Sequence, residues 1–131
     1  MFKKDLVLLE NIVVITLYNQ DKDDTYYLYS TKNKIDLDFY LPKRKTAIQV
    51  AWELNNFLKE REIRTLLSLA KVDNNVTDFC IVTWQQEKTI HQDNVAINVI
   101  PLYKFLLAEQ RYFLPKSVAG AVFSCYNHLC Q

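Results

Sequence analysis

A chain of 131 residues, half of them hydrophobic and 24% charged, has the size and composition of one globular domain able to bury a core. Sixteen Lys and Arg against fifteen Asp and Glu leave a formal charge of +1, so overall charge points to no nucleic-acid partner. The single glycine, Gly120, excludes both a phosphate-cradling P-loop and a dinucleotide-binding fingerprint within this sequence, and with them ATP hydrolysis by these residues.

The N-terminus, Met1-Phe2-Lys3-Lys4, leads into an apolar stretch, but Asp5 and Glu10 break it and no small-residue cleavage site follows. Neither a signal peptide nor a membrane span is expected, and the chain reads as cytoplasmic. Residues Asp5 to about Asn19 predict a helix, with Leu6, Leu9, Val13 and Leu17 on one arc. Glu10 falls inside that arc, where a carboxylate is costly without a partner. The polar stretch Asn19–Asp24 turns the chain, and Thr25–Thr31, rich in tyrosine and threonine, predicts a strand.

The clearest strand follows, where Ile35, Leu37, Phe39 and Leu41 alternate with Asp36, Asp38 and Tyr40. Pro42-Lys43-Arg44-Lys45 makes a turn into Thr46–Trp52, a strand with Ile48, Val50 and Trp52 on its apolar face and Gln49, Ala51 and Glu53 on the other. Matching the apolar faces of the two strands fixes the hairpin register, because a one-residue slip inverts a strand. A tight loop centred on Lys43-Arg44 sets Asp38 opposite Gln49 and Asp36 opposite Ala51.

Asn56–Lys71 predicts a helix with Leu58, Ile63, Leu66, Leu67 and Ala70 as its apolar stripe, while Glu60, Arg61, Glu62 and Arg64 read as ion pairs on its exposed face. Thr77–Trp84 has the nearly continuous apolar centre of a strand covered on both sides. Two short strands, Lys88–Gln92 and Val95–Ile100, are split by Asp93-Asn94, and Pro101 opens a final helix through Leu107. Trp52 and Trp84 end apolar strands and read as core residues. Beyond about Glu109 the character shifts to an apolar run, Val118–Phe123, and a divided chain is expected: residues 1–107 as an α/β domain and 108–131 as an appendage, helical or in a twofold partner contact. Of the three cysteines, Cys80 reads as a buried thiol, and Cys125, His128 and Cys130 match no common zinc spacing.

A helix carboxylate, a strand carboxylate and a polar group on the next strand would converge at one place in this order of elements. That is an arrangement able to hold Mg²⁺ or Mn²⁺ against a phosphodiester, since hard cations take oxygen ligands and activate water. Six stretches together are similar to a known family: Leu9-Glu10-Asn11, Asp36-Leu37-Asp38-Phe39, Ile48-Gln49-Val50, Glu60-Arg61-Glu62-Ile63-Arg64, Ile81-Val82-Thr83-Trp84 and Val99-Ile100-Pro101-Leu102. In that order, over roughly residues 5–107, they resemble the domain that follows the ATPase module in a large family of prokaryotic AAA-type ATPases, a domain related to the PD-(D/E)XK nucleases.

The resemblance implies a restriction-endonuclease-like core, a central mixed β-sheet flanked by helices in the order α-β-β-β-α-β-β-β-α, and partnership with an ATPase module. It implies Glu10 as the helix carboxylate, Asp38 as the motif aspartate and Gln49 at the second acidic position, with Glu10 and Asp38 as metal ligands. The chain departs from the nuclease pattern there: Gln49 is neutral, and the lysine position holds Ala51. A degenerate, non-catalytic module that binds DNA or a protein is therefore expected first. An active Mg²⁺- or Mn²⁺-dependent DNA nuclease and a purely structural oligomerisation domain are the alternatives. Lys43, Arg44 and Lys45 form a basic turn that could touch a phosphate backbone, or lie solvated. For Glu10 and Asp38 a metal site and simple structural pairing both stand.

Overall fold

The computed structural model describes residues 3–21, 26–30 and 35–110. The chain runs through helix α1 (Lys3–Asp21), strands β1 (Tyr26–Ser30), β2 (Ile35–Leu41) and β3 (Thr46–Val50), helix α2 (Asn56–Val72), strands β4 (Asp78–Thr83), β5 (Lys88–Gln92) and β6 (Val95–Pro101), and helix α3 (Leu102–Gln110). The strands form a six-stranded mixed sheet in the order β1-β2-β3-β4-β6-β5. β1, β2 and β3 pair antiparallel, β3, β4 and β6 parallel, and β5 antiparallel to β6.

Helices cover both faces of this α/β sheet. On one side α2 packs over a core of Ile63, Leu66 and Leu69 against Ile35, Leu37, Ala47, Ile81 and Val99. On the other, α1 and α3 pack Leu9, Val13, Leu17, Leu102 and Phe105 against Leu41, Ile48, Val50 and Val82. No helix of the described residues is long and apolar enough to cross a membrane.

The strict alternation expected along β2 is broken. Tyr26 pairs with Tyr40 and Leu28 with Leu37, so one residue of β1 spans Asp38 and Phe39 together. This is a β-bulge, and an extra residue moves every later side chain to the opposite face. Ile35 and Leu37 accordingly join the α2 core, while Phe39 and Leu41 join the α1 core. β3 also departs from expectation, because the face carrying Gln49 and Ala51 is buried under α2 and not polar. A strand lying between two neighbours, with helices above and below, has no solvated side.

The pairs nearest the turn keep the expected register, with Phe39 opposite Ile48, Tyr40 opposite Ala47 and Leu41 opposite Thr46, but the ladder stops there, short of the expected Asp38–Gln49 and Asp36–Ala51 pairs. Lys45 closes the turn at φ 51°, and its carbonyl accepts the backbone N–H groups of Thr77 and Asp78, tying the turn to β4. Asp93 and Asn94, both at positive φ, make the two-residue turn between β5 and β6, where short polar side chains best tolerate the left-handed region. The expected boundary after residue 107 falls inside α3, since Glu109 remains buried and bonded to Arg44. The appendage, its Val118–Phe123 run and the Cys125, His128 and Cys130 group lie outside the described residues, as do the side chains of Tyr26–Tyr29.

Candidate functional site

β2 and β3 part company just past Phe39–Ile48, and side chains take over from the backbone ladder at that point. The Gln49 side-chain oxygen accepts the Asp38 backbone N–H at 2.7 Å, and Asp38 Oδ2 accepts the Val50 backbone N–H at 2.7 Å. The bulge at Asp38–Phe39 turns the start of β2 away from β3, and these two bonds satisfy backbone donors that the separated ladder no longer serves.

The separation opens a cleft of about 230 Å³. Glu10 and Leu6 from α1, Asp36 and Asp38 from β2, Gln49 and Val50 from β3, and Arg61, Glu62 and Thr65 from α2 line it, with Ala51 and Trp52 at the end of β3. The three residues singled out by sequence, Glu10, Asp38 and Gln49, therefore share one cleft, with Ala51 on its wall as well.

The expectation of a solvated helix face is corrected for Glu62, which is 7% exposed and faces the cleft. Its Oε2 accepts a 2.8 Å hydrogen bond from Gln49 Nε2, which also donates to the Asp36 carbonyl, and its Oε1 receives Arg61 at 3.2 Å. The Gln49 amide is thus used at both ends. Its oxygen holds Asp38 and its nitrogen holds Asp36 and Glu62.

Four carboxylates and one guanidinium line the cleft. Burial pushes the Asp38 carboxyl up to about 7; the Val50 N–H opposes that shift, and the charges of Glu62, Glu10 and Asp36 reinforce it. Burial likewise raises Glu10, and raises Glu62 against the opposing pull of Arg61. Glu10, Asp38 and Glu62 hold their protons more tightly than isolated carboxylates do.

At the rim, Trp52 and Trp84 stack with ring centroids 5.0 Å apart and planes 7° from parallel. The expectation that both are core residues is corrected for Trp84, which is 42% exposed, while Trp52 is half-buried, packing against the α1 core and lining the cleft. The Trp84 N–H donates to the Trp52 carbonyl, carrying the β3–β4 pairing past the strand ends. Gln86 then clips the loop after β4 to the one before α2, its amide bonding both the N–H and the carbonyl of Leu54.

The basic turn lies apart from the cleft, and only its lysines are presented. Lys43 and Lys45 are exposed, whereas Arg44 makes a bidentate pair with Glu109 of α3, at 3.0 and 2.7 Å. Two of the donors that Arg44 would offer a phosphate backbone are thus engaged by Glu109. Cys80, expected as a buried thiol, is half-buried against the α1 layer, and burial pushes its thiol up to about 12.

No family model, curated protein or solved structure matches this chain.

The donor set suits a divalent ion poorly. Gln49 has its oxygen turned to the Asp38 N–H, and one Asp38 oxygen is committed to Val50. Among the described residues no group of three or more His, Cys, Asp and Glu side chains is placed to hold a metal ion.

Proposed function

We propose that this chain is a restriction-endonuclease-like module without nuclease activity, serving a AAA-type ATPase as an accessory domain that engages a protein partner. The observation that carries this reading is the amide of Gln49. At the position where a nuclease needs a second charged ligand, a neutral side chain is locked between Asp38, Asp36 and Glu62. Ala51, at the lysine position, has nothing to offer a phosphate.

Charge favours a protein partner over DNA. A phosphodiester entering the cleft would meet Glu10, Asp36, Asp38 and Glu62 against Arg61 alone, and the basic turn has its arginine internally paired. The sheet itself supports a scaffold reading, with both faces covered and a wall of packed side chains around the cleft.

The test is cleavage and binding of labelled single- and double-stranded DNA at low salt with Mg²⁺ or Mn²⁺. Neither cleavage nor salt-dependent binding is expected, whereas addition of the chain to an ATPase module of the resembling family should change that module's turnover. Cleavage that disappears in Asp38→Ala would instead establish the active nuclease.

A further inference from the structure

The cleft between β2 and β3 has room for about one side chain. At about 230 Å³ it falls short of the roughly 300–1,000 Å³ that hold a drug-sized molecule or a cofactor, and α1, β2, β3 and α2 wall it in. Its polar groups divide into two sets. Gln49, Glu62 and Oδ2 of Asp38 are spent on holding the strands and α2 together. Glu10, the other oxygen of Asp38 and the hydroxyl of Thr65 are not, since no described residue makes a hydrogen bond or ion pair to them.

Thr65 is the telling member. It is 7% exposed, so water is scarce around it. A helical threonine often turns its hydroxyl back on the carbonyl one turn earlier, as Thr16 does to Ile12, but Thr65 does not. Nor is its hydroxyl sealed in the core, because among the described residues the only shut-away polar side-chain atom without a partner is Gln20 Nε2. The little exposure Thr65 has is onto the cleft. A buried hydroxyl left unpaired costs free energy, and the group that would meet it is one the described residues do not supply.

The chemistry of the occupant follows from what it has to match. Glu10 and Asp38 are acceptors for a cation, and the Thr65 hydroxyl accepts a hydrogen bond as well. A bare metal ion matches poorly, because among the described residues no three His, Cys, Asp or Glu side chains are placed to hold one. A cation carrying several N–H donors suits acceptors spread over α1, β2 and α2. At the rim Trp52 and Trp84 form a stacked aromatic pair, with Trp84 42% exposed. A flat guanidinium stacks on such a face better than the compact ammonium of lysine. Leu6, Val50, Ala51 and Trp52 give the cleft apolar wall for a methylene stem. Arg61 does not fill this place, since it bonds Oε1 of Glu62 with its own side chain 65% exposed.

We infer that the cleft takes an arginine side chain presented by a protein partner, its guanidinium on Glu10, Asp38 and Thr65 and its stem beside Trp52. This contact rests on the protein-binding role proposed above and names the group that is bound.

The probe is the peptide acetyl-Gly-Arg-Gly-amide, titrated into the full chain at about pH 8, where Asp38, held up to about 7, is ionised. Both tryptophans of the chain stand at the cleft, so their fluorescence reads it directly. Citrulline and lysine versions of the peptide are titrated alongside, and melting midpoints show that each variant folds. A saturable change is expected with the arginine peptide, about tenfold weaker with citrulline and severalfold weaker with lysine. Glu10→Gln should weaken the arginine peptide about tenfold. Thr65→Val should weaken it severalfold without lowering the melting midpoint, as no bond to a described residue is lost. Glu60→Gln, on the exposed face of α2, should bind like the wild type. No saturable change with the arginine peptide, an equal response to all three peptides, or wild-type affinity in both Glu10→Gln and Thr65→Val would each overturn the assignment. The titration contains no ATPase module, so its failure and the failure of the accessory-domain role are read separately.

Discussion

Gln49 of β3 and Asp38 of β2 meet just beyond the last paired residues of their strands, and the Gln49 side-chain oxygen accepts the Asp38 backbone N–H at 2.7 Å. A side chain has thereby become part of the sheet at the place where the strands separate. Gln49 is 3% exposed, so its partners have no water to fall back on. Gln49→Leu should destabilise the fold by about 2–3 kcal/mol, measured by denaturant unfolding, because it strands the Asp38 N–H and Glu62 together. Gln49→Glu, the change that formally restores the acidic position, should be at least as harmful at neutral pH. It presses a carboxylate against Glu62, and the loss should shrink on acidification as the pair shares a proton. A stable Gln49→Glu protein at neutral pH would contradict the bonding described here.

The raised carboxyls set the direction of pH dependence. Asp38 is pushed up to about 7 in the folded chain, while an unfolded aspartate titrates near its ordinary value. Folding therefore favours the protonated form, and that contribution is fully present below the unfolded pKa and lost as pH rises through about 7. Glu10 and Glu62 are shifted in the same sense. The melting temperature should be higher at about pH 5.5 than at about pH 8. Asp38→Asn, whose amide oxygen can still accept the Val50 N–H, should flatten much of that slope. A melting temperature that rises with pH over this range would refute the assignment.

Arg44 and Glu109 hold the β2–β3 turn against the end of α3, with side chains 18% and 5% exposed. Removing one member leaves the other charge in a poorly solvated place, so Arg44→Ala or Glu109→Ala should each cost about 3 kcal/mol. The double variant should lose clearly less than the sum of the single ones, because it leaves no orphaned charge. Additive losses in that cycle would show that the two residues act separately.

Calorimetric titration with Mn²⁺ separates the binding-module reading from the nuclease reading. The locked Gln49 amide and the Asp38–Val50 bond predict no binding heat attributable to the cleft. Heat that is present in the wild type and absent in Asp38→Ala would reinstate a metal site built on Glu10 and Asp38.

Much of this was legible from periodicity. The β2–β3 register followed from two apolar faces that had to coincide across a tight turn, and that constraint is the same in the folded chain. The convergence of Glu10, Asp38 and Gln49 was legible too, as a consequence of the order of elements. The bulge was not, because Ile35, Leu37, Phe39 and Leu41 alternate perfectly in sequence and both faces of the sheet accept apolar residues. Glu62 was hidden in a run of charges. Its one signal was spacing, since positions 62, 65, 66 and 69 fall on one helical stripe and Thr65, Leu66 and Leu69 are all buried. Trp84 misled for the opposite reason, as its large apolar ring found a stacking partner in Trp52 without being enclosed.

The layer beneath α1 is shared between the first and last described helices, with Leu9, Val13 and Leu17 meeting Leu102 and Phe105. The α2 layer is closed by residues of β2, β3, β4 and β6. During synthesis α1 therefore leaves the ribosome long before α3 exists to complete its side of the core, with apolar residues on both its inward and outward faces. Both layers close late, the α2 side with Ile97 and Val99 of β6 and the α1 side with Leu102 and Phe105. A helix that waits through the making of an entire sheet keeps apolar surface open until its partner helix is made.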